Sequence, residues 1–194
     1  MDINKQILRL NYSGLPIGWV NFQTAVRLYC NDQVTYECGS SSLLIKGGKN
    51  KISGLQSKLE INSIIATKNS SKINYSDYIP PLTNTTLFKR DASTCIYCGD
   101  QFTLKNLSRD HILPLSRGGD DSWMNTVTAC KRCNNHKGNK TPEEAGMYLL
   151  ATPFIPSRIE YLILRGRTIL SDQMEFLMSH VSKTSLIRKR YKGE

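Results

Sequence analysis

Two Cys-x-x-Cys pairs constrain this chain more than any other feature: "CIYC" at 95–98 and "CKRC" at 130–133. Two sulfurs from one tight turn can reach one metal ion, and four thiolates complete a tetrahedral shell. Residues 99–129, 31 in number, separate the pairs. That gap exceeds what a minimal zinc ribbon needs, so a substructure must be held between the two knuckles. Redox use of Cys-x-x-Cys needs one pair, at the start of a helix that follows a thioredoxin-like strand, and neither pair has that setting. The expected metal is structural Zn²⁺ on Cys95, Cys98, Cys130 and Cys133, because four protein ligands leave no open position for catalysis. Its binding free energy would then be part of the folding free energy of the segment. Cys30 and Cys38 have no ligand spacing and are expected as plain buried thiols.

Around this frame the chain reads as α+β, with a small N-terminal α+β unit over 1–66, a linker over 67–86, a zinc-stapled module over 87–152 and a short helical C-terminal extension over 153–194. "QILRL" (6–10) alternates polar and apolar, as a half-buried strand does. "NYSGLPIG" (11–18) is expected as a connection. Phe22, Ala25, Val26 and Tyr29 fall at i, i+3, i+4 and i+7 and mark a helix from about 21 to 31. "QVTYE" (33–37) and "LEINSIIA" (59–66) read as strands, with a turn at "KGGKNK" (46–51). In the module, "LFKRD" (87–91) reads as a short basic helix. "RDHIL" (109–113) and "NTVTA" (125–129) read as paired strands, and "CKRC" as a tight turn. Thr141-Pro142-Glu143-Glu144 has capping-box order and should open a helix over "EEAGMYLL". Beyond it, 158–170 is ambiguous between helix and strand, 172–181 is expected helical, and "IRKRYKG" (187–193) is expected as a frayed basic tail. Trp123, Trp19 and Tyr12 are expected to pack, and His180 to be structural.

Net charge is +10, from 26 Lys and Arg against 16 Asp and Glu. A polyanion is the natural partner, nucleic acid before membrane. No apolar run approaches the roughly 20 residues of a membrane span, and "MDINKQILRL" lacks the apolar core of a signal peptide. A cytoplasmic location is expected, and a reducing compartment suits thiolate–metal chemistry.

Two of the three histidines lie in the metal-framed segment: His111 in "SRDHILPLSRGGDD" and His136 in "CKRCNNHKGNK". Four cysteines close a zinc shell, which leaves His136 for other work, although a set of Cys130, Cys133 and His136 is an alternative. Phosphodiester cleavage needs a water activated near neutral pH and cationic help for the charge on phosphate. Imidazole can be the base, and a carboxylate with an imidazole can hold a divalent ion. Asp110 and His111 are neighbours, and neighbours on a strand point to opposite faces. Both serve one site only if the strand ends or twists there, as Pro114 and Gly118-Gly119 allow.

The run "CIYCG…RDHILPLSRGGDDSWMNTVTACKRCNNHKGNKTPEEA" resembles the HNH endonuclease family and its ββα-metal finger. Cys-x-x-Cys, Asp-His-x-x-Pro, Gly-Gly, a central Asn and Cys-x-x-Cys-Asn-x-x-Lys-Gly are all present between Cys95 and Gly138. "ILRLNYSGLPIGWVNFQTAVRLY" is also similar to the N-terminal part of a group of small bacterial HNH proteins, so the likeness covers about residues 6–155.

The resemblance implies metal-dependent DNA hydrolysis at a single divalent ion, leaving 5′-phosphate and 3′-hydroxyl ends. His111 would be the general base, Asp110 a ligand of a catalytic Mg²⁺ or Mn²⁺, His136 the second ligand and Asn125 a brace between the strands. Asn134 would be structural, at the start of the helix, and Asn135 takes the place of His136 if the register shifts by one. Arg109, Arg117, Lys131, Arg132, Lys137 and Lys140 would position phosphate, which carries no sequence information in itself. RNA is the alternative substrate. A duplex break takes two nicks or two copies of the site, which makes a homodimer one arrangement to test. Charge and zinc frame alone equally describe a non-catalytic nucleic-acid-binding or regulatory module. Cys130→Ser is expected to unfold the module, and Asp110→Asn to silence it without unfolding.

Overall fold

Alternation in "QILRL" becomes β1 (Ile7–Asn11), with Leu8 and Leu10 fully buried. The computed structural model describes residues 6–68 and 78–192. Part of the expected connection is itself a strand: β2 (Pro16–Val20) pairs antiparallel with β1. The turn between them closes on Gly14 at φ +84° and on a bond from Leu15 N to Asn11 Oδ1 of 2.8 Å. Helix α1 (Phe22–Cys30) is capped by Asn21, whose Oδ1 accepts from Thr24 N. Its apolar face packs on Ile7, Ile61 and Ile65.

β3 (Val34–Lys49) is far longer than "QVTYE" suggests, and it pairs antiparallel with β4 (Gln56–Thr67). The turn between them therefore falls after residue 49 rather than over 46–51. β4 pairs parallel with β1, giving the order β2-β1-β4-β3. Tyr12 is exposed and Trp19 half-buried, so Tyr12 does not pack as expected. Cys30 is exposed and Cys38 half-buried, against the buried thiols expected.

Of the expected linker, residues 69–77 lie outside the described residues. Helix α2 (Asn84–Arg90) begins within the rest, three residues before the expected "LFKRD", because Thr83 and Thr86 form a reciprocal cap. Leu87 and Phe88 join Leu107, Trp123 and Tyr161 in a core. The packing role of Trp123 is seen directly, with Nε1 donating to Pro80 O at 2.7 Å. Arg90, in the expected short basic helix, is buried. It pairs with Asp91 and donates to the carbonyls of Trp123 and Thr126 at 2.8 Å. Asp91 in turn accepts from Thr128 N, so one buried ion pair ties α2 to the second strand of the module. A buried charge is tolerated when it is paired and its hydrogen bonds are met.

β5 (Leu107–His111) and β6 (Thr126–Cys130) pair antiparallel, with Asp110 opposite Val127 and His111 opposite Thr126. β6 is buried along its whole length. "CKRC" is not a free turn. It is the first turn of α3 (Lys131–Lys137), so this pair does open a helix after a strand, against expectation; Cys130 is the N-cap and Gly138 ends the helix at φ +57°. The helix expected over "EEAGMYLL" is absent. The Thr141–Glu144 cap forms, but only a 3₁₀ turn over Glu143–Ala145 follows before Gly146 takes φ +67°. The ambiguous stretch resolves into α4 (Arg158–Arg165).

The expected extension over 153–194 is helical, and its last helices are α5 (Ser171–Ser179) and α6 (Leu186–Lys192). The chain divides into Tyr78–Leu164 and a second unit that combines Met1–Asp77 with Arg165–Glu194. Gln173, fully buried, donates to Gln6 O and Ser63 O, and Asp172 accepts from Ser40 N and Ser41 N. The expected frayed tail is helical, with Ile187 buried and Arg188 donating to Met178 O and Val181 O. His180 sits at the end of α5 within 2.9 Å of Phe176 O. Among the described residues, no helix is long and apolar enough to cross a membrane.

Candidate functional site

The Cys95–Cys98 knuckle is a turn closed by Gly99 N on Cys95 O, with Gly99 at φ +79°. Ile96 N donates to Thr128 O, which fastens the knuckle to β6. The second pair stands at the β6–α3 junction. The four sulfurs lie within 4.8 Å of one another, and among the described residues they are the group that suits a metal ion. Burial and the neighbouring thiols push the Cys133 thiol well above its ordinary value. Four thiolates cannot share so small a volume without a cation, so the donor set fits a bound metal.

His111 ends β5, one-fifth exposed. Its Nε2 lies 2.9 Å from Asp121 Oδ1. Arg109, two residues earlier and on the same strand face, donates Nη1 to the same carboxylate at 2.7 Å and Nε to Asn84 Oδ1 at 2.9 Å. The His111 and Arg109 hydrogen bonds together hold the Asp121 carboxyl below the usual carboxylate range. An ionised carboxylate only accepts, so the hydrogen sits on Nε2 and Nδ1 is the basic nitrogen. The sequence alone assigns Asp121 only to a loop. Its signal was the second Asp of "GGDD", which the loop folds back onto the strand.

Asp110 points to the other face, as strand alternation requires. It is buried, with Tyr97 OH donating to Oδ2 and Lys137 Nζ donating to Oδ1 at 3.1 Å. Lys137 also donates to His111 O at 2.7 Å. Burial, then the adjacent Asp110, drives the Tyr97 phenol far above its ordinary value, so it is a fixed donor. Neither Tyr97 nor the burial of Lys137 was foreseen. Lys137 is not a surface phosphate contact, because its ammonium is spent on α3–β5 docking.

His136 is exposed and lines a cavity of about 460 Å³ with Tyr97, Arg132 and Tyr148. Asp110, His111 and His136 do not form a second metal group among the described residues. Both Asp110 oxygens are already engaged, so a divalent ion shared by Asp110 and His136 does not fit the residues as they stand. Asn135 is exposed on the same helix. Asn134 ties α3 to β5, with Nδ2 donating to Ser108 Oγ at 2.8 Å and Arg109 O at 3.3 Å, instead of capping the helix.

Asn125 braces the loop between the strands. Its Nδ2 donates to Leu113 O and Asp120 O, and its Oδ1 accepts from Leu113 N at 2.9 Å. Gly119 is required beneath it, since a Cβ there would lie 1.9 Å from Leu113 O. Of the expected phosphate contacts, Arg109 is held by Asp121 and Arg117 by Glu144, whereas Lys131, Arg132 and Lys140 are exposed.

Residues 95–150 match the family model described as HNH endonuclease. The CRISPR-associated endonuclease Cas9 of Campylobacter jejuni is 42% identical over 65 residues, which cover 30% of this chain and 7% of that protein. The Cas9 of Corynebacterium diphtheriae is 40% identical over 52 residues, 26% of this chain and 5% of that protein. A crystal structure of Streptococcus thermophilus Cas9 in complex with the GGAA PAM matches at 26% identity over 52% of this chain and 10% of that chain, with a TM-score of 0.28, too low to bear on the fold. The chain thus spans less than a tenth of the length of the two curated relatives. With the cysteine frame and the strand–strand–helix order around His111, residues 95–150 are an HNH endonuclease domain.

Proposed function

We propose that the chain is a DNA endonuclease in which His111 takes the proton from the attacking water. The observation that carries this is the Asp121–His111 contact of 2.9 Å, which fixes the ring and leaves Nδ1 as the base at the open end of β5. Zn²⁺ on Cys95, Cys98, Cys130 and Cys133 holds β6 and α3 against the first knuckle and takes no part in chemistry. Exposed Lys131, Arg132 and Lys140 supply phosphate contacts along α3, consistent with the net charge of +10. The relatives are named endonucleases, which supports the reaction class. A requirement for Mg²⁺ or Mn²⁺ is expected from the family. Asp110, with its oxygens taken by Tyr97 and Lys137, is not placed to hold such an ion.

That closure favours one other function, a zinc-dependent nucleic-acid-binding module without catalysis. Supercoiled plasmid and a structured RNA, each incubated with the zinc-loaded chain and Mg²⁺ or Mn²⁺, separate the two. We expect nicked plasmid that DNA ligase reseals, since 5′-phosphate and 3′-hydroxyl ends are ligatable. Retained, salt-sensitive binding with no nick in either metal leaves the binding module. Cutting confined to RNA moves the substrate.

A further inference from the structure

The β3–β4 hairpin runs past the sheet that it belongs to. β1 pairs with β4 only from Ile64 to Thr67, whereas β3 and β4 stay paired out to Lys49 opposite Gln56. From Ser42 and Asn62 outward the hairpin is a two-stranded ribbon. Its outer part, "IKGGKNKISGLQSK" (45–58), holds Lys46, Lys49, Lys51 and Lys58 and no acidic residue. All four lysines are exposed. Lys46 and Lys58 stand directly opposite each other across the ladder, a like-charge pairing that destabilises a sheet unless an anion sits between.

The turn is built rather than loose. Asn50 Oδ1 accepts from Ile52 N at 2.8 Å and Ser53 N at 3.1 Å, and Gly54 N returns to Asn50 O. This presents Ile52 at 99% and Leu55 at 73% exposure on the tip. An apolar tip on a ribbon whose outer part, 45–58, carries four lysines and no acid matches a surface with charged walls and an apolar-accessible floor. A B-form major groove, about 12 Å wide, admits a two-stranded ribbon, whereas the A-form groove of duplex RNA is too deep and narrow.

We propose that this ribbon is a docking arm for duplex DNA, with its lysines on the phosphates flanking one groove and Ile52 and Leu55 carried toward the base edges. The proposal rests on the chain's action on DNA, but on no residue of the HNH domain. β3 is also an edge strand, and edge lysines can serve only to block strand-to-strand aggregation.

The test is anisotropy of a labelled DNA duplex with the whole chain over a salt series, without added divalent metal. Wild type is compared with the combined variant Lys46→Gln, Lys49→Gln, Lys51→Gln and Lys58→Gln. We expect the slope of log affinity against log salt to shrink by about 0.9 per lysine removed, about 3.6 in all. We also expect affinity in about 0.1 M salt to fall more than tenfold, with much less change for duplex RNA. Lys51→Glu, a single change in the exposed turn, gives a second readout if the combined variant folds poorly. Unchanged slope and affinity overturn the proposal, as does aggregation with DNA affinity intact. Plasmid nicking is scored in parallel: nicking with no ribbon effect rejects the arm alone, and a ribbon effect without nicking rejects the nuclease alone.

Discussion

Lys137 Nζ lies 3.1 Å from Asp110 Oδ1, with the two side chains 1% and 5% exposed. The pair docks α3 on β5, and Tyr97 completes it from the first cysteine knuckle. Breaking a buried pair from one side strands a charge, at a cost of about 3–5 kcal/mol. Lys137→Met should therefore lower stability by that order in urea denaturation. Asp110→Asn should also destabilise, not merely silence as the sequence alone would have it. Asp110→Leu with Lys137→Met together should recover much of the loss. Single variants that melt like wild type would show that the pair contributes little.

The cysteine frame makes a second prediction. Cys130→Ser removes one of the four clustered sulfurs, the one that caps α3 through Cys133 N. We expect metal content near zero and rapid hydrogen exchange along β6 and α3. Exchange in β1 and β4 should be little changed, since their core is a separate cluster. A folded, metal-free β6–α3 segment would remove the metal from the account.

Asp121 offers a pH test. Its carboxyl is lowered from the ordinary 3.8, first by His111 and then by Arg109. A depressed carboxylate contributes fully above its unfolded value and loses that contribution only as pH falls through the folded value. The tether to His111 should thus persist throughout neutral and mildly acid solution and fade only below pH 3.8. A carbon-detected NMR titration of the Asp121 carboxyl should show a midpoint below 3.8, moving up in Arg109→Ala. A midpoint at or above the ordinary value would mean that the contact does not persist in solution.

Gly119→Ala should disorder the loop from Leu113 to Asp120. The added Cβ would meet the backbone oxygen of Leu113 at 1.9 Å, which cannot give way without moving the loop, and Asn125 Nδ2 at 2.9 Å. Asn125→Ala removes the same brace by deleting three hydrogen bonds, at about 1–3 kcal/mol. Both should slow nicking by misplacing Asp121, with faster amide exchange at Leu113 as the independent sign. Protected amides in both variants would contradict the brace.

The local patterns were legible. The strand pair around the Asp110-His111 step and the cysteine frame follow from pattern and spacing, and the Asn125 brace from the family resemblance, because each is set within a few dozen residues. What was not legible depends on distant partners. Arg90 reads only as part of a short basic helix, and its burial depends on Asp91 and the distant carbonyls of Trp123 and Thr126. Lys137 reads as a phosphate contact until Asp110 claims it. The final helices read as an extension until Gln173 finds Gln6 and Ser63 across the chain. "EEAGMYLL" failed for a local reason, since Gly146 outweighs a well-formed cap.

The most direct measurement compares initial nicking rates of supercoiled plasmid by wild type, His111→Ala and Asp121→Asn, all zinc-loaded and supplied with Mg²⁺ or Mn²⁺. Loss of a general base costs typically 10²–10⁴-fold, so His111→Ala should fall by at least about a hundredfold. Asp121→Asn should fall less, with its loss in kcat rather than KM. Equal rates for wild type and His111→Ala would contradict His111 as the base.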